Sequence, residues 1–308
     1  RTVKSGPCQE VVETDRPSVA ALPILWCWPK DAGYYITFPL VITRDPVTGL
    51  RNVGTYRIQV YDERTLGLHW QTHKGVAEHE REARRAGRER IPVAIALGAD
   101  PATMYAGTAP LPPGLDEILL AGWLRGRGVE MVRARTIDLE VPAHAEIVLE
   151  CEILPKLRKK EAPFGEYPGT YGPQRNNPVV QVKAITMRRN ALYQSSFVGH
   201  ADNLLLSGIV RSTTIMKTVK MASPKVRAVH VPASGRCRFI CYVSIEKIIE
   251  GEPKNAAMAA FAADPFLKYV VVVDQDVNIL NDEEVLHAIA TRVRADTDIF
   301  MVTHAKGS

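Results

Sequence analysis

The chain has 308 residues, 46% of them hydrophobic and 24% charged, with a formal net charge of +5. That balance excludes a fibrous or largely disordered chain and gives room for two domains with a self-sufficient core. No run approaches the ~18–20 apolar residues of a membrane span, no signal peptide opens the chain, and the basic clusters at 81–90 and 156–160 lack the interleaved aromatics of a nucleic-acid surface. The expectation is a cytoplasmic protein that contacts neither membrane nor nucleic acid. Five cysteines, Cys8, Cys27, Cys151, Cys237 and Cys241, form no C-x-x-C pair and fit reduced, buried thiols. The first residue is Arg1 rather than Met, so a piece of a longer protein is expected.

In chain order, residues 23–60 read as extended, with Tyr34 to Thr43 rich in β-branched and aromatic residues and a turn at Asp45-Pro-Val-Thr-Gly49. Residues 75–88 predict a charged, exposed helix supported by Glu-to-Arg spacing. Ile91 to Leu97 predicts a buried strand, Asp100-Pro101 a helix start, and Ile118 to Leu124 a helix. Strands are expected at 130–136, 145–153, 179–187 and 192–198. Pro163 and Gly165 argue for a loop across Glu161-Ala-Pro-Phe-Gly-Glu166. Beyond residue 200, helices at 203–223, 255–263 and 282–293 alternate with strands at 226–231, 238–245 and 269–273, a pattern of α/β type with parallel pairing.

Read from the residues alone, Glu161 and Glu166 are either a solvated acidic loop or two carboxylates aimed into one cleft, one charged and one a proton donor. His69 and His73 at i and i+4, with His79 as a third, offer a second reading as a zinc site on one helical face. Asp274 to Asp276 at a strand end reads as a capping acid or a metal imitation. No Walker loop or glycine-rich dinucleotide turn appears.

The blocks Asn52-Val-Gly-Thr-Tyr-Arg57, His69-Trp-Gln-Thr-His73, Leu111-Pro-Pro-Gly-Leu-Asp-Glu117, Glu161-Ala-Pro-Phe-Gly-Glu166, Tyr167-Pro-Gly-Thr-Tyr171 and Val271-Val-Val-Asp-Gln-Asp-Val277 stand in one order along the chain. Together they resemble the UbiD family of reversible decarboxylases, which use prenylated FMN. The resemblance runs from about Gly6 to Val302. It implies an α+β fold: a split β-barrel-like flavin-binding catalytic domain over 1–200, followed by an incomplete, assembly-related α/β domain over 201–308.

The resemblance also implies roles. Asn52, His73 and Glu117 match the ligands of a divalent ion, Mn2+ or Mg2+, that links protein to flavin phosphate. The amide, imidazole and carboxylate form a mostly hard set that suits such an ion. K+ would sit nearby at Trp70, Ala106, Gly107, Ala109 and Glu117. Tyr56, Arg57, Gln71, Gly107, Thr108, Ala109, Pro110 and Lys254 complete the cofactor set, with Lys254 reaching the phosphate. Arg57, Glu161 and Glu166 match the catalytic trio. Arg57 pairs with Glu161 near the flavin, and Glu166 donates the proton, a role that requires an acid still protonated near neutral pH. Phe164, Tyr167 and Tyr171 would supply apolar surroundings. Two positions depart from the family's habit: Ala162 stands where glycine is common and Thr55 where methionine is frequent.

The implied activity is non-oxidative decarboxylation, in either direction, of an aromatic or α,β-unsaturated carboxylic acid by a homo-oligomer whose cofactor comes from a flavin prenyltransferase. The alternatives are a flavin-binding or assembly subunit without activity, and a metal-dependent hydrolase built on His69 and His73.

Overall fold

Residues Ile91–Leu97 alternate large and small apolar side chains, and a strand sends successive side chains to opposite faces. Val93, Ile95 and Leu97 enter one core, and Ala94 and Ala96 enter another. Both faces of this strand are therefore covered, as a continuous apolar run requires. The computed structural model describes residues 1–70, 75–109, 111–112, 114–161 and 163–305. It divides into two compact units, Arg1–Gly165 with Tyr171–Phe197, and Glu166–Thr170 with Val198–Ser308.

The first unit carries β1 (Thr2–Val3), β2 (Val11–Glu13), β3 (Tyr35–Ile36), β4 (Leu40–Arg44), β5 (Arg51–Gly54), β6 (Ile58–Val60) and β7 (Thr65–Leu68). Then come α1 (Gly75–Arg85), β8 (Ile91–Leu97), α2 (Pro101–Ala106), α3 (Glu117–Arg125), β9 (Met131–Arg133), β10 (Glu140–Pro142), β11 (Ile147–Glu161) and β12 (Arg175–Met187). Nine strands make one sheet in the order β3-β6-β7-β12-β11-β8-β4-β5, with β2 beside β12; β1, β9 and β10 form a small second sheet. The large sheet is antiparallel throughout, and its path ends at β3 and β5 with no closing pair among the described residues. A mixed α+β fold with an open sheet is what is observed.

Helices α2 and α3 cover the face that carries Ala94 and Ala96, where small side chains let Met104, Ala106, Ile118 and Ala121 approach. Each of these helices has an aspartate cap: Asp100 accepts from Ala102 and Thr103, and Asp116 from Ile118.

The second unit carries α4 (Ala201–Ala222), β13 (Val226–His230), β14 (Ile240–Ile245), α5 (Glu252–Ala263), β15 (Tyr269–Asp274) and α6 (Asp282–Arg292). Strand β14 pairs in parallel with β15 but antiparallel with β13, so the expected parallel pattern holds for one of the two pairs. Cys241, Val243 and Ile245 of β14 pack with α4 and α5, while Tyr242 packs with Val285 and Ala288 of α6.

Three sequence expectations need correction. Residues 192–198 form no strand, because Thr37 Oγ1 takes the Ser196 carbonyl at 2.5 Å and meets Ser195 Oγ at 2.9 Å. Helix α1 is not simply exposed: His79 and Glu80 are buried, the first against Thr43 Oγ1 at 2.9 Å and the second paired with Arg158. Glu161 is the last residue of β11 rather than a loop residue. All five cysteines are free and buried, as expected. Among the described residues, no helix is long and apolar enough to cross a membrane.

Candidate functional site

Strands β6 and β7 form a hairpin whose turn is fixed by Asp62, which accepts from the N–H groups of Arg64 and Thr65. The ladder pairs Ile58 with Leu68, and one step further the His69 N–H donates to the Arg57 carbonyl at 3.1 Å. Arg57 and His69 are thus cross-strand neighbours, the spacing at which side chains interact. From the other side comes the β11–β12 ribbon. Glu161 stands opposite Arg175, and Asn177, two residues along, shares that face.

Three side chains, Arg57, His69 and Asn177, converge on the Glu161 carboxylate. Arg57 Nε donates to Glu161 Oε1 at 2.7 Å and Arg57 Nη2 to Oε2 at 3.1 Å, a two-pronged contact. Oε2 also lies 2.6 Å from His69 Nδ1 and accepts from Asn177 Nδ2 at 2.8 Å. An ionised carboxylate can only accept, so the proton of this contact belongs to His69 Nδ1. The 3.1 Å approach of Arg57 Nη2 to Nδ1 is then two donors side by side. Glu161 is 2% exposed, and burial would raise its pKa. The hydrogen bonds from His69 and Arg57, with the arginine charge, outweigh burial and bring it down to about 2. Phe164 supplies a floor: the Arg57 guanidinium lies 4.5 Å from its ring centroid, and Phe164 tilts against Tyr35 at 4.5 Å.

A second group of residues gathers around β5, where three helix ends meet. Glu117 opens α3 and its Oε2 accepts from the Val53 N–H at 3.0 Å. Asn52 abuts the start of α1, so closely that a Cβ on Gly75 would stand 2.1 Å from Asn52 Oδ1. Thr55 N–H donates to the carbonyl of Gly107, the C-cap of α2, at 3.2 Å. Asn52, Gly75 and Glu117 line a cavity of about 900 Å³ together with Arg51 and His79. Arg51 is held at its edge by Asp116 at 2.6 Å and Glu140 at 3.4 Å.

A divalent ion fits this donor set. Asn52 Nδ2 is buried and has no hydrogen-bond partner among the described residues. The fit lies in the oxygens: the Asn52 amide and the Glu117 carboxylate both line this cavity, and each can offer a hard oxygen donor to such an ion. Burial raises the Glu117 carboxyl, opposed by the Val53 N–H that it accepts from. Gln71, His73 and Pro110 lie outside the described residues. Among those described, no group of three His, Cys, Asp or Glu side chains forms a metal cluster.

The remaining expected residues fall as follows. Tyr56 is buried in the core, and its ring lies beneath Gly54. Trp70 packs half-buried on that core. The Ala106 and Gly107 carbonyls each already accept one backbone N–H, from Ala109 and Thr55, and Thr108 Oγ1 donates to the Tyr105 carbonyl. Lys254 is exposed in the first turn of α5, in the second unit. Asp276 pairs with Arg292 at 2.8 Å, which favours the capping-acid reading of that strand end.

Glu166 belongs to the second unit, in the short loop Glu166–Thr170 closed by Glu166 N–H to Thr170 O and Gly169 N–H to Glu166 O, both 2.9 Å. Tyr167 of that loop stacks on Phe239 and lies under Arg238. Tyr171 belongs to the first unit, where its hydroxyl accepts from the Lys30 N–H.

The zinc expectation fails at His69, which follows a strand rather than lying on a helix and gives Nδ1 to Glu161. It fails again at His79, whose Nδ1 meets Thr43. The residues that sequence reasoning missed as a set with Glu161 are His69 and Asn177. His69 had a readable signal, its mirror position to Arg57 across a short hairpin. Asn177 had none.

The family model described as the 3-octaprenyl-4-hydroxybenzoate carboxy-lyase Rift-related domain (UbiD) matches residues 1–201, and that of the carboxy-lyase C-terminal domain matches residues 204–308. An uncharacterized protein of Archaeoglobus fulgidus is 40% identical over 301 residues, 96% of this chain and 62% of that protein. The anhydromevalonate phosphate decarboxylase of Methanothermobacter thermautotrophicus is 39% identical over 298 residues, 95% of this chain and 69% of its own length. The UbiD-class enzyme HmfF from Pelotomaculum thermopropionicum, in complex with FMN, matches at a TM-score of 0.95 and 41% identity, over 100% of this chain and 69% of its own. An evolved dimeric form of that enzyme in complex with prFMN matches at 0.94 and 40%, over 99% and 71%. The chain spans 62% and 63% of the first two curated relatives it matches.

Proposed function

Because the chain belongs to the UbiD family of carboxy-lyases, we propose that it carries the catalytic core of a prenylated-FMN-dependent decarboxylase acting on an aromatic or α,β-unsaturated carboxylic acid. The observation that carries this reading is the buried, two-pronged Arg57–Glu161 pair. A planar guanidinium fixed by an ionised partner is suited to orienting a second carboxylate, that of the substrate. The name of the Methanothermobacter relative and the flavin complexes of HmfF support the same reaction class and cofactor.

When bound, prenylated FMN supplies the electron sink for breaking the carbon–carboxylate bond. Arg57 orients the departing carboxylate. Glu161 stays charged and keeps Arg57 in place. Glu166 returns a proton to the carbon that loses carbon dioxide. Asn52 and Glu117, joined by His73, would hold Mn2+ or Mg2+ against the cofactor phosphate, whose charge is otherwise costly to bury. The 106–109 turn and Trp70 would hold K+, with Tyr56, Gln71, Pro110 and Lys254 completing the cofactor's surroundings. In this reading residues 1–200 form the flavin domain, its open sheet curled as a split barrel, and 201–308 serve assembly into a homo-oligomer. The cofactor would come from a flavin prenyltransferase in the cytoplasm.

The test is co-production with a flavin prenyltransferase, followed by the ultraviolet-visible spectrum, metal analysis and a screen of aryl and acrylic acids for carbon dioxide release. A flavin chromophore with turnover of at least one acid is expected. A chromophore without any turnover would favour a flavin-binding subunit, and absence of both would remove the proposal.

A further inference from the structure

The Arg57–Glu161 pair leaves two side chains to account for. Glu161 Oε2 accepts from His69 Nδ1 and Asn177 Nδ2 as well as from Arg57, whereas Oε1 is bonded by Arg57 Nε. Neither His69 nor Asn177 is needed for the salt bridge itself. Both come from strands that Arg57 does not occupy, β12 for Asn177 and the end of β7 for His69. A carboxylate with a single cationic partner can swing about its own torsions, or take up a proton where burial favours the neutral form. Three donors on one oxygen prevent both.

We propose that His69 and Asn177 are positioning residues that pin Glu161 as a carboxylate in one orientation and through it aim Arg57 at the substrate. This rests on the reading that Arg57 and Glu161 serve decarboxylation. The other groups facing Glu161 do not replace these donors. Tyr35 and Tyr61 have phenols that burial, and then the Glu161 charge, push upward, that of Tyr61 to about 12. Arg175 stands opposite Glu161 in the ladder, and Lys159 lies over the Tyr61 ring. The depressed Glu161 carboxyl agrees with the geometry: burial acts against it, and the hydrogen bonds from His69 and Arg57 overcome burial.

The variants are His69→Leu, which fills the space without a donor, His69→Asn, whose amide can place a donor near Nδ1, and Asn177→Leu. With the flavin-loaded protein, His69→Leu and Asn177→Leu should each lower kcat by roughly 10- to 100-fold, the factor one hydrogen bond to a charged group is worth. They should also introduce an acid limb near or above pH ~4.3, the ordinary glutamate value, that the parent lacks. His69→Asn should recover most of the rate and remove the limb. A merely structural role would lower the rate equally at every pH. Independently of turnover, a titration of 13C-labelled glutamate should show Glu161 ionised throughout the acid range in the parent and titrating higher in His69→Leu. If the two titrations coincide, or if His69→Asn is as impaired as His69→Leu, the positioning role is wrong. If the parent decarboxylates nothing, the functional reading falls while the labelled titration still decides the role of His69.

Discussion

At the residue scale, Glu161 concentrates more of the site's chemistry than its place in the sequence suggests. It follows Lys159 and Lys160 in the chain, yet its bonds run to residues 57, 69 and 177. If Arg57 and Glu161 act as one unit, Arg57→Ala and Glu161→Gln should each nearly abolish turnover. The double variant should be little worse than either, since groups acting together are non-additive. Arg57→Lys should also fail, because lysine keeps the charge and loses the planar fork. Single-turnover rates around the cycle check this. Multiplying losses would return the pair to an ordinary ion pair of ~0–1 kcal/mol.

The same carboxyl makes a stability prediction with a definite sign. Its pKa falls from the usual 4.5 to about 2 on folding, so its ionised form stabilises the fold above the unfolded value. That contribution is lost as pH falls between these two values. Glu161→Gln lacks the titration. Denaturant midpoints of parent and variant should therefore differ near neutral pH and converge toward pH ~2, following the same linkage. A gap that stays constant across the window would show that the carboxyl does not titrate as described.

At the element scale, what could be read locally was read. The apolar run of β8 lies at 91–97 in both sequence and structure, and Asp100 caps α2 as Asp-Pro suggests. What failed depends on partners distant in sequence. Pro163 and Gly165 hide the fact that Glu161 is already paired with Arg175 across the ribbon. The charged pattern of α1 does not reveal that Arg158, 78 residues away, takes Glu80 into the interior. In the site, the blocks around Asn52 and Glu117 were legible as motifs, but the reason a glycine stands at position 75 was not. Its Cα sits where any Cβ would strike Asn52 Oδ1, and its φ is not among the positive values, so the restriction is space rather than backbone conformation. Gly75→Ala should thus displace the Asn52 amide and reduce bound divalent metal and flavin together, while helix propensity at that position improves. Metal analysis beside the flavin spectrum measures it. Full occupancy of both would separate Asn52 from the metal site.

At the scale of the whole molecule, the two carboxylates of one six-residue block belong to different compact units. Glu161 closes β11 in the first, and Glu166 opens the loop that folds with the second. No local pattern in Glu161-Ala-Pro-Phe-Gly-Glu166 encodes that division. It comes from Tyr167, whose ring stacks on Phe239 at 6.0 Å and carries the Arg238 guanidinium at 4.0 Å. Burial lowers the Arg238 pKa, and the Tyr167 phenol acts in the opposite direction. Glu166→Gln should keep metal and flavin but lose ~10² to 10⁴ in turnover, the range of general acid catalysis, because an amide cannot deliver the proton. Tyr167→Ala tests whether the acid depends on its anchor. Without the ring, Arg238 and Phe239 lose their common partner, while the two backbone bonds inside the loop remain. The expected result is a fall in kcat with little change in KM or flavin content, and recovery in Tyr167→Phe, which retains the stacking face. If Tyr167→Ala lowers the melting temperature but leaves kcat intact, the ring is packing alone. The acid would then be placed by the backbone of its own turn.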